Sequence, residues 1–101
     1  MILVSVIMAT RNRAPFLRES VESILSQSYK NLELLIVDDA SSDETPRILK
    51  EYAAQDARIR LFRNHTNLGL TKSLNAALKE ANGAYIARID DKAVAHEKRI
   101  Q

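Results

Sequence analysis

The stretch LELLIVDDASSDETPRILKEYA, residues 32–53, contains one complete change from strand to helix. Residues 32–37 form a nearly continuous apolar run, which is typical of a central strand covered on both faces. Asp38 and Asp39 end this run. The apolar side chains then recur at helical spacing, so that one helix face carries Ile48, Leu49, Tyr52 and Ala53. Ser41 and Glu44 have the spacing of a capping box, and Pro46 falls in the turn that follows.

The same alternation continues on both sides of this stretch. Residues 2–8 predict another buried strand, which ends in the polar loop 10–13. Pro15 stands where a first helical turn tolerates proline, and the apolar stripe of that helix is formed by Leu17, Val21, Ile24 and Leu25. In residues 58–63, charged and apolar side chains alternate (Ile59 and Leu61 on one side, Arg58 and Arg60 on the other), which predicts a strand at a sheet edge.

A third helix and a fourth strand complete the pattern. After the polar loop 64–69, the apolar positions of the helix are Leu70, Leu74, Ala77, Leu78 and Ala81. Gly83 fits a helix C-cap, and residues 84–89 predict a strand that ends at Asp90 and Asp91. Strands that alternate with helices imply right-handed crossovers, so we expect one three-layer α/β/α domain over residues 1–101 with a mainly parallel, Rossmann-like sheet.

The composition excludes several classes of function. The 101 residues are 46% hydrophobic and 28% charged, with a net charge of +2 and only two Phe and three Tyr, so nucleic acid is not an expected partner. Without cysteine there are no disulfides or thiolate metal sites. The apolar start is far shorter than the roughly 20 residues of a membrane span, and it lacks a basic leader. We expect it to be a buried strand.

The polar loops are the candidate site. In open parallel sheets, ligands bind at the carboxyl ends of the strands, near the point where the strand order reverses. Residues 10–13, 38–39 and 90–91 all follow strands, so they should meet at one edge. Both glycines, Gly69 and Gly83, lie outside the first strand-to-helix turn, which excludes a dinucleotide fingerprint, and there is no phosphate-binding loop. His65 lies in a loop and His96 near the end, so no catalytic triad is indicated.

Each acidic pair also has an ordinary structural interpretation. Asp38 and Asp39 precede a helix and could simply stabilise its positive end by about 0.3–1 kcal/mol. Asp90 and Asp91 could form a turn. Arg11 and Arg13 could face a diphosphate or only solvent.

The order of segments carries a family resemblance. VSVIMATRNRAPFLRESVESILSQSYKNLELLIVDDASSDET (residues 4–45) resembles the opening of inverting family 2 glycosyltransferases with the GT-A fold. NLGLTKSLNAALKEANGAYIARIDD (residues 67–91) is similar to their next two elements. The resemblance covers essentially the whole chain through Asp91. It implies the half-domain that binds a nucleoside-diphosphate sugar, with UDP as the expected nucleotide.

The resemblance implies roles for individual residues. Asp39 matches the acid that contacts uracil or ribose, and Asp90 matches the first acid of the Asp-x-Asp signature, which binds ribose and a divalent cation, Mn²⁺ or Mg²⁺. With Asp91, it is the candidate metal ligand. The remaining candidate nucleotide-sugar contacts are Ala9, Thr10, Arg11, Asn12, Arg13, Asp38, Gly69 and Lys72.

Lys92 departs from the family pattern, because it stands at the second acid of the signature. In an extended strand end, residues 90 and 92 point the same way, so the ammonium group would project where a metal ligand belongs. At about 4 Å the repulsion is about 1 kcal/mol even in water. Three interpretations stay open: Asp91 swings in beside Asp90, Lys92 replaces the cation at the diphosphate, or the site is degenerate.

The resemblance also implies a missing half. Family members continue into an acceptor-binding half, which supplies the catalytic base, whereas ten residues follow Asp91 here. We therefore expect a truncated piece with little activity alone, and no residue is assigned as the base. The acceptor would be a glycan, lipid or polysaccharide precursor. The expected location is the cytoplasm, free or at the inner face of a membrane, and a homo-oligomer stays open.

Two rival functions are kept. One is a catalytically inactive binding or interaction domain that retains the fold, which Lys92 favours. The other is a phosphoacceptor receiver domain, because VDDAS resembles the acidic strand end of receivers. Receivers carry the acidic pair after the first strand, whereas here it follows the second.

Overall fold

The computed structural model describes residues 2–27 and 29–89. Strands and helices alternate throughout, as the sequence predicts. The elements are β1 (Val4–Thr10), α1 (Ala14–Leu25), β2 (Leu32–Asp39), α2 (Thr45–Gln55), β3 (Ile59–Asn64), α3 (Leu70–Glu80) and β4 (Tyr85–Arg88). All strand pairs in this part of the chain are parallel, and the order in the sheet is β3-β2-β1-β4. The α/β fold class is therefore confirmed.

The helices cover the two faces of the sheet unequally. α1 and α2 pack on one face, where Leu17, Val21 and Leu49 belong to the larger apolar cluster with alternate residues of the strands. α3 packs on the other face through Leu74 and Ala77, against residues of β1 and β2. The pleat explains the division, because successive strand residues point to opposite faces. The three-layer arrangement follows from these two clusters.

The strand order reverses beside β1. From β1 the chain moves through β2 to β3 at one edge, and α3 then returns it to the other side of β1 as β4. The crevice between the carboxyl ends of β1 and β4 is therefore the switch point at which open α/β sheets bind ligands. Thr10 is the last residue of β1 and lies at this point.

The strand bounds differ from the predicted ones at the carboxyl ends. β1 runs to Thr10 and β2 to Asp39, because their ladder continues to the pair Thr10↔Asp38. Thr10, Asp38 and Asp39 are therefore strand residues with fixed directions. Ile2 lies outside β1 and is 52% exposed, contrary to the expectation of a buried strand from residue 2.

Three local predictions were wrong. The capping box does not form, because Glu44 makes no side-chain cap hydrogen bond. α3 ends with Ala81 as its C-cap, and Gly83 contacts β1 instead. Leu70 and Leu78 are 62% and 48% exposed, so the buried stripe of α3 consists of Ser73, Leu74 and Ala77.

Candidate functional site

Asn12 joins the loop after β1 to the loop after β2. Its backbone φ is +53°, a conformation that Asn tolerates better than most residues. The side-chain Oδ1 accepts hydrogen bonds from the backbone N–H groups of Ser42 (2.8 Å) and Asp43 (3.3 Å). The backbone N–H of Asn12 donates to Ser41 Oγ at 3.0 Å. Two loops 30 residues apart in sequence are therefore held together at the carboxyl edge by hydrogen bonds of Asn12 to Ser41, Ser42 and Asp43, which we call the bracket.

Asp43 closes the same bracket from the other side. Its Oδ2 accepts from the N–H of Ala14 (3.2 Å), and its Oδ1 accepts from the N–H of Thr45 (2.9 Å). Burial alone would raise the pKa of the Asp43 carboxyl, but the hydrogen bonds from Thr45 and Ala14 outweigh burial, and the pKa lies below its ordinary value. Asp43 thus holds the starts of both α1 and α2. This residue does the capping that the sequence assigned to Ser41 and Glu44.

Asp38 has a structural role on the face of α1 and α2. It is 3% exposed, its Oδ2 lies 3.1 Å from Arg63 Nη1, and its Oδ1 accepts from the N–H of Ser41 at 3.1 Å. Arg63 also donates to the Ser41 carbonyl at 3.2 Å. The carboxylate of Asp38 is therefore occupied within the chain, by Arg63 and the N–H of Ser41, and not by the first N–H groups of α2.

Asp39 points to the opposite face and holds the loop before α3. Its Oδ1 accepts from Asn64 Nδ2 (2.9 Å) and from the N–H of Leu68 (2.8 Å), and its Oδ2 accepts from the N–H of Gly69 (2.9 Å). Gly69 has φ +91°, so the loop needs glycine for its backbone and not for lack of space. Asp39 as a whole residue is 5% exposed.

These contacts keep Asp39 ionised. Burial acts to raise the pKa of its carboxyl, but the hydrogen bonds from Asn64, Leu68 and Gly69 and the nearby charge of Arg11 outweigh it, so the pKa is lowered. An ionised carboxylate has about four acceptor sites, of which three are used here. Contacts within the described part of the chain therefore leave one acceptor position unused, on Oδ2.

The other predicted contacts fall into two groups. Ala9 and Thr10 are buried in β1, at 9% and 2% exposure, and the Thr10 hydroxyl has no hydrogen-bond partner among the described residues. Arg11 is exposed and Arg13 half-buried in the following loop, and Lys72 is exposed in the first turn of α3. The structure therefore places Arg11, Lys72 and the loop that Asp39 holds before α3 (the Asp39 loop) at the carboxyl edge, while Ala9 is a core residue.

The candidate metal ligands, Asp90 and Asp91, lie outside the described residues, as does Lys92. Within residues 2–27 and 29–89, no group of three or more His, Cys, Asp or Glu side chains could hold a metal ion. The described part of the edge thus contains candidate nucleotide contacts but no group of side chains that could form a metal centre. The sequence offered no separate signal for Asn64, which donates to Asp39, or for Thr45, whose Oγ1 accepts from the N–H of Arg13 at 3.3 Å. Both contacts join segments that are distant in sequence.

Comparisons with known proteins agree with this geometry. The profile of glycosyl transferase family 2 matches residues 5–101. The Bacillus subtilis protein EpsE, whose naming as a glycosyltransferase is itself provisional, is 52% identical over 99 residues, which are 97% of this chain and 36% of EpsE. Glycosyltransferase GlyG of Streptococcus pneumoniae is 33% identical over 99 residues, which are 98% of this chain and 33% of GlyG.

Solved structures show the same fold. The mannosyltransferase PcManGT from Pyrobaculum calidifontis, in complex with GDP-Man and Mn²⁺, superposes with a TM-score of 0.84 at 33% identity, over 90% of this chain and 28% of that chain. S. aureus TarS in complex with UDP gives 0.86 at 28% identity, over 94% and 29%. The fold of the chain is therefore that of the GT-A glycosyltransferases.

The chain belongs to glycosyl transferase family 2. It spans about a third of the length of the curated relatives EpsE and GlyG. The receiver interpretation is not supported, since the chain matches glycosyl transferase family 2 and its acidic pair ends the second strand. No helix in the described part of the chain is long and apolar enough to cross a membrane.

Proposed function

We propose that this chain is the donor-binding part of an inverting glycosyltransferase, which transfers a sugar from a UDP-linked donor to a hydroxyl group of a glycan, lipid or polysaccharide precursor. The observation that carries the proposal is the convergence of three loops at the switch-point edge of a family 2 chain. The UDP and UDP-GlcNAc complexes of TarS support a uridine nucleotide.

The described residues suit the nucleotide end of such a donor. The remaining acceptor position of Asp39 can receive an N–H of uracil or a ribose hydroxyl. Arg11, near Asp39 in the loop after β1, and Lys72, in the first turn of α3, are exposed positive charges that would attract a diphosphate. The buried hydroxyl of Thr10, which has no partner in the described part, lies at the end of β1 beside the crevice.

Sugar transfer requires stabilisation of the leaving nucleoside diphosphate. An acceptor hydroxyl attacks the anomeric carbon from the face opposite the leaving group, which inverts the configuration and releases UDP. A divalent cation, when bound, neutralises the developing charge, and the Mn²⁺ complex of PcManGT supports its use in this family. Asp90 and Asp91 would hold it, unless Lys92 pairs with the diphosphate instead. The residue that deprotonates the acceptor has no candidate in the described part.

Two lysines of α3 provide the test. Lys72 lies in the first turn, at the proposed site, and Lys79 in the last turn, at the opposite edge. Calorimetric titration with UDP should show saturable binding, and Lys72→Ala should weaken it about fivefold, because one charge contact at about 4 Å in water is worth about 1 kcal/mol. Lys79→Ala should leave UDP affinity unchanged.

The nucleotide and the alternative function are decided by the same titrations. GDP should bind more weakly than UDP, and tighter binding of GDP would contradict the choice of nucleotide. If neither nucleotide gives saturable heat, the chain is a non-catalytic binding or interaction domain that has retained the fold. Equal effects of the two lysine substitutions would place the nucleotide away from the α3 start.

A further inference from the structure

A buried polar cluster lies on the α3 face of the sheet, near the amino ends of β1 and β2 and away from the candidate site. Its centre is Glu33, which is 8% exposed. Glu33 Oε2 accepts from Ser5 Oγ and from the N–H of Asn82, both at 2.6 Å, and Oε1 accepts from Arg60 at 3.3 Å. Ser5 Oγ in turn accepts from the N–H of Gly83 at 2.7 Å. We call Ser5, Glu33, Arg60, Asn82 and Gly83 the Glu33 cluster.

The cluster joins the connection before β4 to β1 and β2. Gly83 approaches β1 so closely that an added Cβ would lie 2.6 Å from both the backbone nitrogen and the Oγ of Ser5, and 2.8 Å from the Leu3 carbonyl oxygen. Real Cβ atoms do not come this near to a backbone atom, so only glycine fits at this point of the chain. The N–H of Ala84 donates to the same Leu3 carbonyl at 2.9 Å.

β4 has four residues, it pairs with β1, and its side chains Tyr85 and Ile86 are 62% and 40% exposed. Its register is defined by the Glu33 cluster before the strand and by Ile89 directly after it, which is 4% exposed and packs in the larger apolar cluster. Register is specified strongly only where one face of a strand is buried, and a slip of one residue turns every side chain to the other face. Such a slip would turn the buried Ile89 away from its apolar cluster, and it would also bring Asn82 or Ala84 against Ser5, where a Cβ does not fit.

We propose that the Glu33 cluster is a positioning device for the switch-point crevice. The cluster allows β4 to pair with β1 in one register only. It thereby fixes the position of Ile89 at the end of β4, where the N–H of Ile89 donates to the Ile7 carbonyl at 3.1 Å. An effect of the register on ligand binding is expected only if the proposed function holds, because Asp90 and Asp91, its candidate cation ligands, directly follow Ile89 in the sequence. A slip of one residue would displace Ile89, the last described residue, by about 3.3 Å along the strand.

The test compares the register of β4 in cluster variants with that in a core variant. Glu33→Ala and Gly83→Ala should lose the NMR cross-strand contact between Val6 and Ala87, which are partners in the present register. The contact between Met8 and Ile36, in the β1–β2 ladder, should persist in both variants. Glu33→Gln should keep both contacts, because its carbonyl oxygen can still accept from Ser5 and Asn82.

Leu49→Ala is the matched control, since Leu49 is buried on α2 against the other face of the sheet. It should lower the Tm at least as much as Glu33→Ala and still keep the Val6–Ala87 contact. The proposal is overturned if both cluster variants keep that contact, or if the control loses it equally. Should Gly83→Ala not fold, Ser5→Ala removes one hydroxyl from the cluster and gives the same readout.

UDP titration of the same variants separates the two proposals. Binding should weaken in Glu33→Ala and stay at the parental affinity in Glu33→Gln and Leu49→Ala. If the parent chain itself does not bind UDP, the proposed function fails, and the cross-strand contacts still decide whether the cluster positions β4. Unchanged UDP affinity in a variant with a shifted β4 would overturn the link to the crevice.

Discussion

Asp39 combines two tasks in one side chain, because the carboxylate that faces the proposed nucleotide also holds the loop before α3. Asp39→Asn should destabilise the fold by about 1–3 kcal/mol, since the amide nitrogen would face an N–H donor of the loop and leave it unsatisfied. Urea unfolding measures this change. Calorimetry should also show weaker binding of UDP.

A carboxylate at the other edge of the sheet serves as the control for Asp39. Asp56 follows α2 and accepts hydrogen bonds from Arg58, so Asp56→Asn removes the same charge and also affects stability. UDP affinity should stay unchanged in this variant. A loss of UDP binding in Asp56→Asn as large as that in Asp39→Asn would show that only net charge matters.

Gly69 tests the backbone of the same loop. Its φ of +91° and ψ of +167° lie in a region that glycine alone adopts readily, and an added Cβ would meet no heavy atom within 4 Å. Gly69→Ala should therefore cost about 1–3 kcal/mol from backbone strain alone. Urea unfolding again measures the effect. An unchanged free energy of unfolding would mean that this loop has a negative φ in solution.

At the scale of whole elements, the bracket made by Asn12 and Asp43 joins the starts of α1 and α2. Asn12→Ala should destabilise by about 1–3 kcal/mol, because the N–H groups of Ser42 and Asp43 lose their acceptor. Asn12→Gly should cost less, since glycine keeps the positive φ of this position.

The same substitution on an exposed helix face calibrates the Asn12 measurement. Asn75 is exposed on α3, and Asn75→Ala should change the free energy of unfolding by no more than about 0.5 kcal/mol. Chemical denaturation of the three variants gives the comparison. If Asn12→Ala and Asn12→Gly are equally destabilising, the backbone conformation contributes nothing and the carboxamide accounts for the whole effect.

The elements could be predicted from the sequence because each strand and helix carries its own hydrophobic period. Leu32 and the residues after it predict β2, and Leu17, Val21 and Ile24 predict the buried face of α1. The cap residues were not predicted. Ser41 and Gly83, which the sequence assigned to caps, bond instead to Asn12 and Ser5 in distant segments, whereas Asp43 accepts from Thr45, two residues away, and from Ala14 at the start of α1. For the candidate site, the convergence of the loops could be predicted, because it follows from a parallel sheet. The different roles of Asp38 and Asp39 could not be predicted, because they depend on β2 continuing to Asp39.

At the scale of the whole molecule, several carboxylates are held ionised by the fold. In Glu33, Asp39 and Asp43 burial raises the pKa but hydrogen bonds outweigh it, and in Asp56 the bond from Arg58 has the largest effect, so all four pKa values lie below their ordinary values. The unfolded chain therefore binds more protons than the folded chain at acid pH. Such groups contribute stability that is complete above the ordinary carboxyl pKa, about 4 to 4.5, and is lost as the pH falls through the lower folded pKa.

The free energy of unfolding should accordingly be nearly constant from about pH 6 to 8 and should fall steeply below about pH 5. Urea midpoints measured between pH 7 and pH 3 check this profile. Asp39→Asn gives the sharper comparison, because the variant lacks one of the four groups. Its deficit relative to the parent should be largest near neutral pH and should shrink as Asp39 of the parent becomes protonated. A deficit of the same size at both ends of the range would show that the hydrogen bonds of the loop do not depend on the charge of Asp39.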